Sequence, residues 1–204
     1  MLAALRSLFT PKPPEAARDT YIALVAQARN PFFFTTLGVP DTLDGRFEMI
    51  VLHLFLLEHR LVAEQEFSGR NSDFGEASTA VAGAARPPTS ESLSNKQFAQ
   101  FVSEVFFSDM DRSLREIGVS DTGVSHRIKK MGKAYHGRLQ AYAAGLQSRE
   151  AMRGALARNL YGTVEQGDVA LLDAMGDYIT RMQQALTATD EATLLNGQFV
   201  WPAV

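Results

Sequence analysis

The residues whose type and spacing could do chemistry are mainly cations. Between Asp121 and Glu150 stand Arg127, Lys129, Lys130, Lys133, Arg138 and Arg149, with no acidic residue among them. In a chain of formal net charge -3, this concentrates positive charge on one stretch. On a helix these side chains lie opposite a stripe of Ile128, Met131, Tyr135 and Leu139, so they are expected to project into solvent as a band that attracts phosphate or carboxylate groups. Arg127, Lys129, Lys130, Lys133 and Arg138 are therefore the candidate residues for an anionic partner. The chain's own acids further on, such as Asp168, Asp173 and Asp177, are the competing partners for that band. No aromatic side chain interleaves it as a stacking platform, which argues against sequence-specific recognition of single strands.

Other charged clusters have plainer readings. Asp111 with Arg115 and Arg112 with Glu116 are spaced four apart, next to Asp109, and such helical pairs are worth a few tenths of a kcal/mol each. The turn from Leu37 to Arg46 reads first as a helix cap, with Asp44 favourable to the helix dipole, and second as a binding loop. His53 and His59 are six apart and cannot share a helix face at metal-site spacing. His53 is read as a hydrogen-bonded core histidine, with a buried proton acceptor or haem ligand as the alternative. The absence of cysteine removes disulfides, thiolate metal sites and cysteine nucleophiles together. No Gly-x-Gly-x-x-Gly, Walker loop, Gly-x-Ser-x-Gly, His-Glu-x-x-His or Glu-x-x-His pair occurs, so an enzyme is disfavoured and no metal or cofactor is expected.

The elements that must position these residues are helices. The 204 residues, 46% hydrophobic and 21% charged, allow one full-sized core, so a single domain over 15–204 is expected. The N-terminal MLAALRSLFTPKPP, residues 1–14, reads as a flexible arm. The longest apolar run, Met49 to Leu57, is interrupted by His53 and is about half of the roughly 20 residues that cross a bilayer. Start and stop signals predict helices over about Glu15–Arg29, a short one from Pro31, then about Leu43–Glu66, a capping-box helix from Ser94 to Gly118, Val124–Leu146, Glu150–Tyr161 and Gly167–Leu186. The Gly, Ala, Ser, Thr and Pro-rich stretch from Ser68 to Ser92 is expected to be a flexible loop. The fold class is all-α, a compact bundle of about six helices. The C-terminal Phe199 and Trp201 are expected to fold back on the core.

Three stretches carry a family resemblance: LGVPDTLDGRFEMIVLHLFLL (Leu37–Leu57), FFSDMDRSLREIGVSDTGVSHRIKKMGKAYHGR (Phe106–Arg138) and ALARNLYG (Ala155–Gly162). They resemble the ubiquinol-cytochrome c chaperone family, assembly factors of the respiratory cytochrome bc complex in mitochondria and alphaproteobacteria. The resemblance implies a non-enzymatic chaperone for cytochrome b, nascent or newly inserted, with no cofactor and no DNA partner. It also implies a small accessory assembly protein, and a ribosome or an anionic membrane surface as the docking partner of the basic residues. Asp41, Asp44, Arg46, Asp109, Asp111, Arg112 and Arg115 become a family-motif surface on the same basis. The expected location is the cytoplasm, peripheral at the inner membrane, or the matrix side in a eukaryote; the lack of a long targeting extension fits a bacterial member. A haem or quinone carrier and a structural adaptor with a basic docking helix are the alternative functions.

Overall fold

The helix signals of the sequence are realised as eight helices among the described residues of the computed structural model, which are 12–62, 94–162 and 168–204. They are α1 (Glu15–Ala28), α2 (Pro31–Thr35), α3 (Leu43–Leu61), α4 (Asn95–Glu116), α5 (Asp121–Gly145), α6 (Arg149–Asn159), α7 (Val169–Ala188) and α8 (Glu191–Leu195). No strand occurs among these residues, and six of the helices are eleven residues or longer, which is the expected all-α bundle. The arm before Lys12 and the loop Ser68–Ser92 lie outside the described residues.

Polar side chains start the helices by satisfying the first free backbone N–H groups. Asn30 accepts from the Phe32 N–H ahead of Pro31, Thr42 from the Gly45 N–H, Ser120 from Gly123 and Ser148 from Ala151. Ser94 and Gln97 form the expected capping box. α4 ends at Gly118, whose φ of 84° only glycine adopts freely; there the Val119 N–H reaches the Leu114 carbonyl and the Gly118 N–H that of Arg115. Beyond shifts of one or two residues at helix ends, three differences from the expectation stand out. α5 begins at Asp121 rather than near Val124, because Ser120 is an effective cap. α3 is helical only to Leu61, since Val62 turns extended (φ -116°, ψ 112°). α8 was not anticipated, although Asp190, accepting from the Thr193 N–H, is an ordinary cap signal.

α3 occupies the centre, packed by α1, α4, α5 and α7, while α6 sits between α5 and α7. Every residue from Glu48 to Glu58 is buried, so the helix has no solvent face over that length. A helix apolar nearly all round is what this position demands. The polar groups it carries must then be bonded inside the protein.

His53 meets that demand completely. It is fully buried; its Nδ1 lies 2.7 Å from the Met49 carbonyl and its Nε2 2.6 Å from the Tyr178 hydroxyl. Because a carbonyl only accepts, Nδ1 carries the proton and Nε2 accepts from Tyr178, whose hydroxyl burial keeps protonated. The Tyr178 oxygen in turn accepts from Gln27 Nε2, which also donates to the Pro202 carbonyl at 3.0 Å. The chain's end thus folds back as expected, with the Trp201 ring 5.1 Å from the His53 ring and Phe199 stacked edge-on against Trp201.

Burial lowers the His53 pKa to about 4 from 6.5. Between those values the unfolded chain binds a proton that the folded one does not, so stability is full above pH 6.5 and falls as pH drops towards 4, by up to about 3 kcal/mol. Denaturant titrations across this window should show that loss in the wild type. His53→Gln, less stable at neutral pH, should show a flatter profile over the same interval.

Candidate functional site

Arg127, Lys129, Lys130 and Lys133 are all exposed on α5, together with His126. Among the described residues none of these four cations has an ion-pair partner. The acids that competed for them are engaged elsewhere: Asp173 with Arg149 and Arg153, Asp177 with Arg149, and Asp168 as the cap of α7, accepting from the Ala170 N–H at 2.9 Å. Arg153 grips Asp173 with two contacts of 2.5 and 2.6 Å, which holds that carboxyl below its usual range. Among the described residues the band is therefore an uncompensated patch, on a chain of net negative charge.

Arg138 sits apart from its sequence neighbours. It is half-buried, with Nε 2.6 and 2.5 Å from the two oxygens of Glu48 on α3, its Nη1 3.2 Å from the Ala134 carbonyl, and its guanidinium 6.0 Å from the Phe47 ring centroid. Glu48 is 5% exposed, and burial raises its pKa although Arg138 opposes the shift. The signal for this placement was available: Arg138 lies three residues after Tyr135 and four before Tyr142, both buried, and so on the inward stripe. A second buried carboxylate, Glu58, went unremarked in the sequence. It accepts from the hydroxyls of Ser103 on α4 and Tyr135 on α5, and Ser103 also donates to the Ala99 carbonyl at 3.0 Å.

Of the other motif residues, Asp109 and Arg115 join elements and the rest make local contacts at the surface. Asp109 accepts from Tyr21 of α1 at 2.9 Å and pairs with Arg112, which also approaches Glu116 at 3.8 Å. Arg115 bridges Asp111 (2.6 Å) and Asp121, tying the end of α4 to the start of α5. Asp41 pairs with Arg46 at 2.7 Å on the surface, where both are more than half exposed. Asp44 is exposed in the first turn of α3. An open, mainly apolar groove of about 710 Å³ runs between α5 and α6, floored by Ala141, Ala144, Gly145, Ala151, Gly154 and Ala157. A smaller cleft of about 190 Å³ adjoins it between α6 and α7, and neither reaches His53.

The sequence pattern of the ubiquinol-cytochrome C chaperone family matches residues 35–201, most of the chain. The chain belongs to this family. It is also similar to a solved structure, the crystal structure of the Cbp3 homolog from Brucella abortus, with 29% identity, a TM-score of 0.69, and coverage of 100% of this chain and 97% of that one. No curated protein matches it at a significant level.

In this member of the family, the stretches that carry the resemblance meet in space. The Tyr161 hydroxyl of the third donates to the Leu37 carbonyl of the first at 2.7 Å, and Arg138 of the second pairs with Glu48 of the first. Gly45 allows the turn itself, since a Cβ there would lie 1.9 Å from the Pro40 carbonyl oxygen. The stretches thus share one packing unit. Arg138→Met leaves a buried carboxylate without its cation and should cost about 3–5 kcal/mol in chemical denaturation. Adding Glu48→Gln should recover most of it, a coupling that a merely shape-filling arginine would not produce.

Proposed function

We propose that the chain is a non-enzymatic assembly chaperone that binds newly made cytochrome b during biogenesis of the cytochrome bc complex. The observation that carries this reading is the family match over 35–201, with a likeness to the Cbp3 homolog that spans the whole chain. Two surface features support it. The open groove between α5 and α6 is floored by small residues, which let an apolar helix approach closely. The cations Arg127, Lys129, Lys130 and Lys133 have no partner among the described residues and serve as the attachment to an anionic partner outside the chain. Arg138 contributes to that attachment indirectly, by fixing α5 on α3 through Glu48.

The family-motif residues act in the same indirect way. Asp109, Asp111, Arg112 and Arg115 hold the α4–α5 hairpin in place, and Asp41, Asp44 and Arg46 shape the entry to α3. A small accessory protein fits the reading as a further partner, at the cytoplasmic or matrix face of the inner membrane. A haem carrier built on His53 gains no support, because both ring nitrogens are already committed to Met49 and Tyr178.

The test is a pulldown of the tagged protein from membranes and ribosomes of its source at low and high salt. The wild type should recover cytochrome b. A variant with Arg127→Glu, Lys130→Glu and Lys133→Glu should lose the salt-sensitive attachment. Failure to recover cytochrome b at either salt would remove the chaperone reading for this client.

A further inference from the structure

We propose that the outer face of α5, through Arg127, Lys129, Lys130 and Lys133, docks the chain on an anionic lipid bilayer. This deepens the chaperone reading and rests on it, because a client that is a membrane protein must be met at the membrane. No helix among the described residues is long and apolar enough to cross one, so contact through those residues has to be peripheral.

The charge pattern selects the partner. With a net charge of -3 the chain as a whole is repelled by an anionic surface, and only a local cluster within a Debye length, about 10 Å, can overcome that. Lys129, Lys130 and Lys133 lie within little more than one helical turn, all exposed. Three of the four cations are lysines, hydrated point charges on flexible stems, which suit a diffuse layer of headgroups; forked recognition of fixed phosphates favours arginine. The large aromatics of α5, Tyr135 and Tyr142, are buried and offer nothing for bases to stack on. A Cβ at Gly132 or Gly137 would meet nothing within 4 Å, so these mid-helix glycines answer no internal packing need and leave the surface low beside the lysines.

The same charges set an orientation. At the tip of the α4–α5 hairpin, Glu116 and Asp121 are exposed beside the 69%-exposed Ile117. Asp109, Asp111, Glu116 and Asp121 outnumber Arg112 and Arg115 there, so the tip keeps a net negative charge that holds it off an anionic surface, and the helix engages through residues 127–133 rather than by inserting Ile117.

At about 1 kcal/mol per lysine near such a surface, Lys129→Glu, Lys130→Glu and Lys133→Glu together should lower the partition coefficient by a hundredfold or more, on the order of 3 kcal/mol or above. The measurement is flotation of the full chain with phosphatidylcholine vesicles, with and without phosphatidylglycerol, at low and high salt. The wild type should float only with the anionic vesicles and be released by salt. The triple variant should stay behind with an unchanged thermal midpoint, and Ile117→Asp should float like the wild type. Equal flotation of wild type and triple variant overturns the proposal. So does a wild type that binds a phosphate-rich RNA duplex but leaves the anionic vesicles untouched. Vesicle binding with no cytochrome b captured supports the docking face and counts against the chaperone reading alone.

Discussion

The structure depends on a central helix whose middle, from Glu48 to Glu58, has no solvent face yet carries three polar side chains. From Glu48 to Glu58 every residue of α3 is buried, and each polar group on it reaches a different set of neighbours. Glu48 takes Arg138 from α5, His53 takes Tyr178 from α7, and Glu58 takes Ser103 from α4 with Tyr135 from α5. Apolar burial is non-directional, so leucines and valines specify the rotation and register of such a helix only through the fit of their packing. A buried charge or imidazole cannot rotate away from its partner without losing several kcal/mol. The three polar anchors therefore set the register of α3 against α4, α5 and α7 at once, and the outer helices take their positions from it.

Much of this was legible in the chain of residues, because local signals for helices are chemical. The Ser94–Gln97 capping box, the Asn30–Pro31 start and the Gly118 stop all appear where backbone groups need those side chains. The return of the C-terminal aromatics also followed from elementary cost, since Trp201 gains cover and the Pro202 carbonyl gains a donor in Gln27. Tertiary pairing was harder to read. Arg138 shares a run with Lys129, Lys130 and Lys133, and charge counting alone groups them. Its helical phase, between Tyr135 and Tyr142, separates it, but the carboxylate that makes an inward arginine tolerable lies 90 residues away on another helix. Glu58 is a harder case still, for nothing local marks a glutamate in an apolar run as the acceptor of two distant hydroxyls.

The two kinds of cation divide their labour along the same line. Arg46, Arg112, Arg115, Arg138, Arg149 and Arg153 all hold carboxylates of the chain itself. A guanidinium's planar fork keeps its geometry in such pairs with little loss of freedom. Lys129, Lys130 and Lys133, joined by Arg127, form no such pair among the described residues and are exposed on α5. Removing Arg138 disturbs the seat of α5 on α3, whereas removing the exposed lysines changes what the surface attracts. That separation leaves a cationic face on an acidic chain: among the described residues Asp173 and Asp177 are paired at α7 with Arg149 and Arg153 rather than with the band. The internal pairs and the band are thus separable: Arg149 and Arg153 answer the carboxylates of α7, and the cations at 127–133 are left facing solvent.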